Sequence, residues 1–127
     1  MLSMNISHKE TIKSVELSYQ TRGMQKFLFI TSDSIEVKIN DKSSKYKTIK
    51  SQWQKILKTF DKMKLSGISK LKRPSTKSYH DGAMMSQLKV LTNLKEYTSV
   101  GFDHDMPPST LVKTINAMKA TVKKNDF

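Results

Sequence analysis

The sequence has no cysteine, four glycines and three prolines in 127 residues, and its longest unbroken aliphatic and aromatic run is Phe27 to Ile30. Without cysteine there can be no disulfide framework, no cysteine-ligated zinc finger and no thiol nucleophile. The apolar run falls far short of the roughly 20 residues a membrane-spanning helix needs. Residues Met1 to Glu10 lack the basic start and apolar stretch of a signal peptide. A cytoplasmic location is therefore expected for the chain as given, or a periplasmic or envelope-associated one if it is a trimmed form. A phosphate-cradling Gly-rich loop, a nucleophile elbow and a kinase signature are also missing. The expectation is accordingly a non-enzyme with no catalytic residue, no cofactor and no metal.

What is abundant is positive charge. Lysine and arginine number 23 against 11 acidic residues, for a formal net charge of +12. Between Lys38 and Lys77 there are 13 basic residues and two acids, Asp41 and Asp61, so the rest of the chain is close to neutral. Such a field attracts polyanions, whether an acidic protein, nucleic acid or an anionic membrane surface. Lys50, Lys55, Lys58, Lys62, Lys64, Lys70, Lys72 and Arg73 are the candidate binding residues. Arginine is scarce, at Arg22 and Arg73 alone, whereas base reading and bidentate phosphate contacts favour it. The tyrosines and Trp53 also interleave poorly with the lysines, which argues against a stacking platform for single strands. A solvated surface encoded by an AT-rich genome would give the same lysine excess.

Hydrophobic periodicity divides the chain into two kinds of segment. From Ile12, Val15, Leu17 and Tyr19 alternate with polar residues, predicting a half-buried strand that ends at Arg22 and Gly23. Gln25 to Thr31 is apolar on both sides, as in a central strand, and Ile35, Val37 and Ile39 make a third strand before the polar stretch Asn40 to Lys47. The period then changes. Ile49, Trp53, Ile56, Leu57, Phe60 and Met63 fall on one helical face, with Lys55, Lys58 and Lys62 opposite. Ser51 with Gln54, or Thr48, would cap this helix and Gly67 would stop it. Ile68 to Ser78 reads as a connection. Gly82 to Leu91 and Glu96 to Phe102 predict a hairpin turning at Asn93, and Pro108 opens a second helix carrying Leu111, Ile115, Met118 and Val122. The expected fold is α+β: a single antiparallel sheet of about five strands, in chain order βββαββα, with both helices on one face. Trp53, Phe60, Leu111 and Ile115 would lie in its core. Residues 1–10 are expected to be a flexible N-terminal segment and 11–124 one domain.

The hairpin brings two polar pieces together, His80-Asp81-Gly82 and Phe102-Asp103-His104-Asp105. Imidazoles and carboxylates converging in this way could bind a divalent metal or support acid–base chemistry. Tight ligand spacing is missing, however, and the carboxylates also precede a helix, whose positive end they would favour. A structural role is the stronger reading, with a metal-dependent enzyme using His80, Asp81, Asp103 and His104 as a third hypothesis.

Asp33-Ser34-Ile35, Trp53, Pro74-Ser75, Asp81-Gly82-Ala83, Glu96-Tyr97-Thr98-Ser99 and Phe102-Asp103-His104 leading to Pro107-Pro108 together resemble a family of small uncharacterised Bacteroidetes proteins, often lipoproteins. The resemblance runs from about Val15 to Met118 and draws notice to Asp81, Gly82, Phe102, Asp103, His104, Pro107 and Pro108. Two departures are Asp105-Met106 in place of a Gly-containing linker and the lack of a lipobox cysteine. In element order only, the chain is similar to protease inhibitors of the emfourin type, which is analogy. The function these features favour is a non-enzymatic binding domain for an acidic or amphipathic protein surface, inhibitor or immunity-like. Sequence-independent nucleic-acid binding is the alternative.

Overall fold

Alternation in the first part of the chain folds into successive hairpins, and the computed structural model describes residues 10–76, 84–123 and 127. Strand β1 (Ile12–Thr21) turns at Arg22 and Gly23 into β2 (Met24–Thr31). The turn places Gly23 at φ 86°, a left-handed conformation that glycine adopts without a Cβ clash. Val15 then faces Ile30, and Leu17 faces Leu28, on one side of the sheet. Strand β3 (Ser34–Ile39) pairs with β2, matching Val37 to Leu28 and Ile35 to Ile30.

The polar stretch after β3 is itself a strand, β4 (Lys42–Lys47). Asn40, at φ 54°, and Asp41 form a two-residue turn between the two strands, the conformation asparagine tolerates best after glycine. The Asn40 side-chain oxygen accepts the Gln25 N–H at 3.0 Å, while the Asn40 N–H donates to the Gln25 carbonyl at 2.8 Å. All six β4 residues are exposed. No buried face means no apolar alternation, which is why the pattern there does not read as a strand.

Helix α1 (Lys50–Lys58) follows, burying Trp53 and Ile56. Its entry is fixed differently from either expected cap. The Gln52 side chain accepts the Ile49 N–H at 3.0 Å, and the Thr48 hydroxyl donates to the Thr31 carbonyl at 2.9 Å, tying the helix start to β2. The helix stops at Lys58 instead of reaching Met63, with the Thr59 hydroxyl bonded to the Ile56 carbonyl at 2.6 Å. Gly67, expected as the stop, lies inside a separate 3-10 helix, Leu65–Lys70.

Strands β5 (Met85–Thr92), β6 (Glu96–Thr98) and β7 (Phe102–Asp103) complete the sheet. The expected strand Glu96 to Phe102 is broken at Ser99, whose hydroxyl accepts the Leu88 N–H at 2.9 Å while its own N–H reaches the Leu88 carbonyl at 2.8 Å. The strand order is β4-β3-β2-β1-β5-β6, with β7 also on β5, and every pairing is antiparallel. The fold is therefore α+β with an antiparallel sheet. Among the described residues it has seven strands, not about five, in the order four strands, α1, three strands, α2.

Pro108 is buried just ahead of a 3-10 turn, Ser109–Leu111, that leads into α2 (Val112–Lys119). One core joins Val15, Leu17, Leu28, Ile30, Leu88 and Val90, which alternation and register put on a single sheet face, to side chains of both helices. Trp53, Phe60, Leu111 and Ile115 are all buried in it, as expected. The opposite sheet face shows Phe27 and Phe29 half-buried, so the two-sided apolar pattern of β2 reflects one helix-covered and one uncovered face. Among the described residues no helix is long and apolar enough to cross a membrane.

Candidate functional site

The lysines clustered in sequence separate in space. The 3-10 helix Leu65–Lys70 packs against β6, and the Val100 N–H bonds to the Ile68 carbonyl at 3.0 Å. Since β4 and β6 are opposite ends of the strand order, they stand about 24 Å apart at the usual interstrand spacing of about 4.8 Å. Lys70, on that 3-10 helix, therefore belongs to the β6 side together with the flanking Lys64 and Lys72, whereas Lys42, Lys45 and Lys47 mark the β4 side. Lys50, Lys55 and Lys58 are exposed on α1, and Lys62 is exposed on the turn after it. Arg73 leaves the surface set altogether. Its guanidinium lies 3.1 Å from the Asp103 carboxylate, with side chains 11% and 0% exposed respectively.

At the β4 margin the lysines border an apolar groove of about 210 Å³. Ile35, Tyr46, Ile49 and Val122 line it with Gln52 and Thr121, and Lys47 and Lys123 stand among them. Tyr46 is 44% exposed and Ile49 60%. Alternation decides which side chains meet here. Tyr46 lies opposite the buried Ile35, so Lys42, Ser44 and Tyr46 share the helix-covered side, and Ser43, Lys45 and Lys47 the other. Glu36 lies across the ladder from Lys45 and accepts the Ser43 hydroxyl at 3.1 Å. Lys42 and Lys47 lie across from Ile39 and Ser34, with no carboxylate opposite either. Tyr46 and Lys123 were not singled out from the sequence, and Ile49, expected on the apolar face of the first helix, instead stands exposed at its N-cap. The available signal was Tyr46 and Ile49 standing as lone apolar residues beside the lysines of the polar stretch.

The expected polar cluster lies only partly within the described residues. His80, Asp81 and Gly82 fall outside them. His104 does meet the start of β5, accepting the Met84 N–H through Nδ1 at 3.1 Å and donating its own backbone N–H to the Met84 carbonyl at 2.8 Å. An acceptor Nδ1 puts the proton of a neutral imidazole on Nε2. Asp103 accepts a hydrogen bond from the Arg73 guanidinium at 3.1 Å, a partner not foreseen from the sequence. Phe102 is buried, pairing with Ser86. Tyr19 faces His104 edge-on at 5.6 Å. The hydroxyls of Tyr19 and Ser86, residues paired across β1 and β5, are buried without a hydrogen-bond partner among the described residues. Of the four cavities described, none is lined by Tyr19, Arg73, Ser86, Asp103 or His104. Nor do the described residues contain a group of three or more metal-ligating side chains. Asp103 and Arg73 form a buried ion pair at the end of the sheet.

A second polar knot fastens the β6 side. Glu10, expected in the flexible N-terminal segment, accepts the Thr92 hydroxyl at 2.6 Å and the Tyr97 hydroxyl at 2.7 Å. Those bonds hold its carboxyl below the usual carboxylate range, and the Tyr97–Glu10 bond pushes the phenol up. Thr92 in turn accepts the N–H groups of Leu94 and Lys95, shaping the turn.

Scans against family models, characterised proteins and solved structures each give no match.

Proposed function

We propose that this chain is a non-enzymatic binding domain that takes an acidic protein surface at its β4 margin, as an inhibitor or immunity-like partner would. The observation that carries this reading is an exposed strand whose Lys42 and Lys47 have no carboxylate across the ladder, beside a groove combining Tyr46, Ile49 and Val122 with Lys123. An apolar depression bordered by like charge suits a partner with an apolar anchor among acids. Nucleic acid is the alternative, since a polyanion of either kind feels the same field. It is disfavoured because Arg73 is tied to Asp103 and Trp53 is buried, leaving this margin without arginine or an exposed tryptophan.

The test is a titration of the full chain with labelled polyglutamate and, separately, a labelled DNA duplex at low salt. Polyglutamate should bind, and reversing Lys42, Lys47 and Lys123 to Glu should weaken it about tenfold or more while leaving the fold intact. Preferential capture of DNA would shift the assignment to the alternative, and binding of neither polymer would end both. A lysate pull-down with and without nuclease would then separate protein partners from nucleic-acid ones.

A further inference from the structure

Among the described residues the β4 margin is also an open backbone edge. Strand β4 ends the strand order, no described strand pairs with its outer side, and all six of its residues are exposed. An edge of this kind presents main-chain N–H and C=O groups to any extended segment laid beside it. We infer that the occupant of this margin is an extended acidic segment that adds to the sheet as a strand alongside β4, placing one apolar side chain over the Tyr46–Ile49–Val122 groove. The inference rests on the acidic-protein reading of the same margin and adds the mode of binding to it.

Charge selects between the candidate occupants. A second copy of this chain docking edge to edge would set Lys42, Lys45 and Lys47 against the same three lysines, and edge lysines of this kind oppose self-pairing. An acidic strand meets the opposite field. The side-chain alternation also sets its pattern. Residues on its helix-covered side would lie next to Tyr46 and Ser44 and reach the groove, where an apolar residue fits. Residues on the other side would lie next to Lys45 and Lys47, where carboxylates fit. An alternating acidic and apolar segment satisfies both rows, whereas a helix presenting the same residues would leave the edge amides unpaired.

The probe is an acetylated and amidated peptide of sequence Glu-Leu-Glu-Val-Glu-Val-Glu, titrated into the full chain alongside the same peptide N-methylated at alternate amides. The N-methylated form keeps the charge and side chains but loses strand donors. The unmodified peptide should bind, slow hydrogen exchange at amides within Lys42–Lys47, and lose affinity about tenfold or more on N-methylation. Equal affinity of the two peptides, or binding without new protection in β4, would overturn strand addition while leaving electrostatic docking in place. Failure of both peptides and of polyglutamate would overturn the acidic-protein reading itself. Lys42→Glu with Lys47→Glu serves as the control for location and should weaken the unmodified peptide without altering the amide spectrum outside β4. Undiminished binding to that variant would remove the segment from this edge.

Discussion

The two edges of the sheet are finished by opposite means. On one side, β6 and β7 are short, broken at Ser99, and screened by the 3-10 helix Leu65–Lys70 through the bond from Val100 to Ile68. Glu10 adds side-chain bonds to Thr92 and Tyr97, and Arg73 clasps Asp103 at the far end. On the other side, β4 is a regular strand with no buried residue, held by its ladder to β3 and the Asn40 turn. The first edge is closed by tertiary contacts; the second has no described strand on its outer side and carries lysines that oppose self-pairing. The difference teaches where change is tolerated. Under the proposed function, substitutions on the closed side should act on stability and substitutions on the open side on binding.

The largest effect should come from removing what seats α1 on the sheet next to the open edge. Trp53 is buried in the core, and its helix starts where the Ile49 and Gln52 groove lies. Trp53→Ala should therefore destabilise the fold by about 3 to 5 kcal/mol in a denaturant titration. A loss below about 1 kcal/mol would mean that α1 is held by its ends alone. Slightly smaller is the effect expected at the closed edge, where Asp103→Ala leaves the Arg73 guanidinium nearly buried and without this carboxylate. About 3 kcal/mol is expected, at the low end of the range for a broken buried pair because part of Arg73 still reaches solvent. Replacing both members, with Arg73→Met and Asp103→Leu, should cost less than Asp103→Ala alone. The reverse order would show that the pair contributes more than mutual neutralisation.

The helix-covered side of the sheet was legible because burial writes a period into the sequence. Val15, Leu17 and Tyr19 alternate, Trp53, Ile56 and Phe60 recur at helical steps, and all of them are in the core. The edge strand was not legible for the same reason: Lys42–Lys47 buries nothing, and only the Asn40-Asp41 turn announced it. The break at Ser99 escaped notice because a hydroxyl stands in for a ladder partner, a substitution that leaves no mark on hydropathy. Contiguity in sequence also misled about the lysines. Lys64, Lys70 and Lys72 follow α1 directly, yet the 3-10 helix between them packs on β6, across the sheet from Lys42 and Lys47. Arg73, counted with the surface charges, needed the position of Asp103 to be recognised as part of a buried pair.

The smallest predicted effect is a dependence on pH confined to the closed edge. Glu10 titrates below its ordinary value because its carboxylate accepts the Thr92 and Tyr97 hydroxyls, and Tyr97 titrates above its own because it donates to Glu10. A carboxyl with a lowered folded pKa contributes stability above its unfolded value, near 4.5, and loses that contribution as pH falls through the lowered one. A phenol with a raised folded pKa contributes below its unfolded value, near 10.0, and loses that contribution as pH rises through the raised one. The fastening is therefore complete between these limits and weakens beyond either. Glu10→Gln supplies a reference that keeps an acceptor but cannot ionise. The melting-temperature gap between wild type and this variant should be constant across neutral pH and shrink in acid, with amide protection falling in Glu96–Thr98 before it falls in Lys42–Lys47. A gap that widens as the pH is lowered, or protection lost first in β4, would show that Glu10 does not fasten the closed edge.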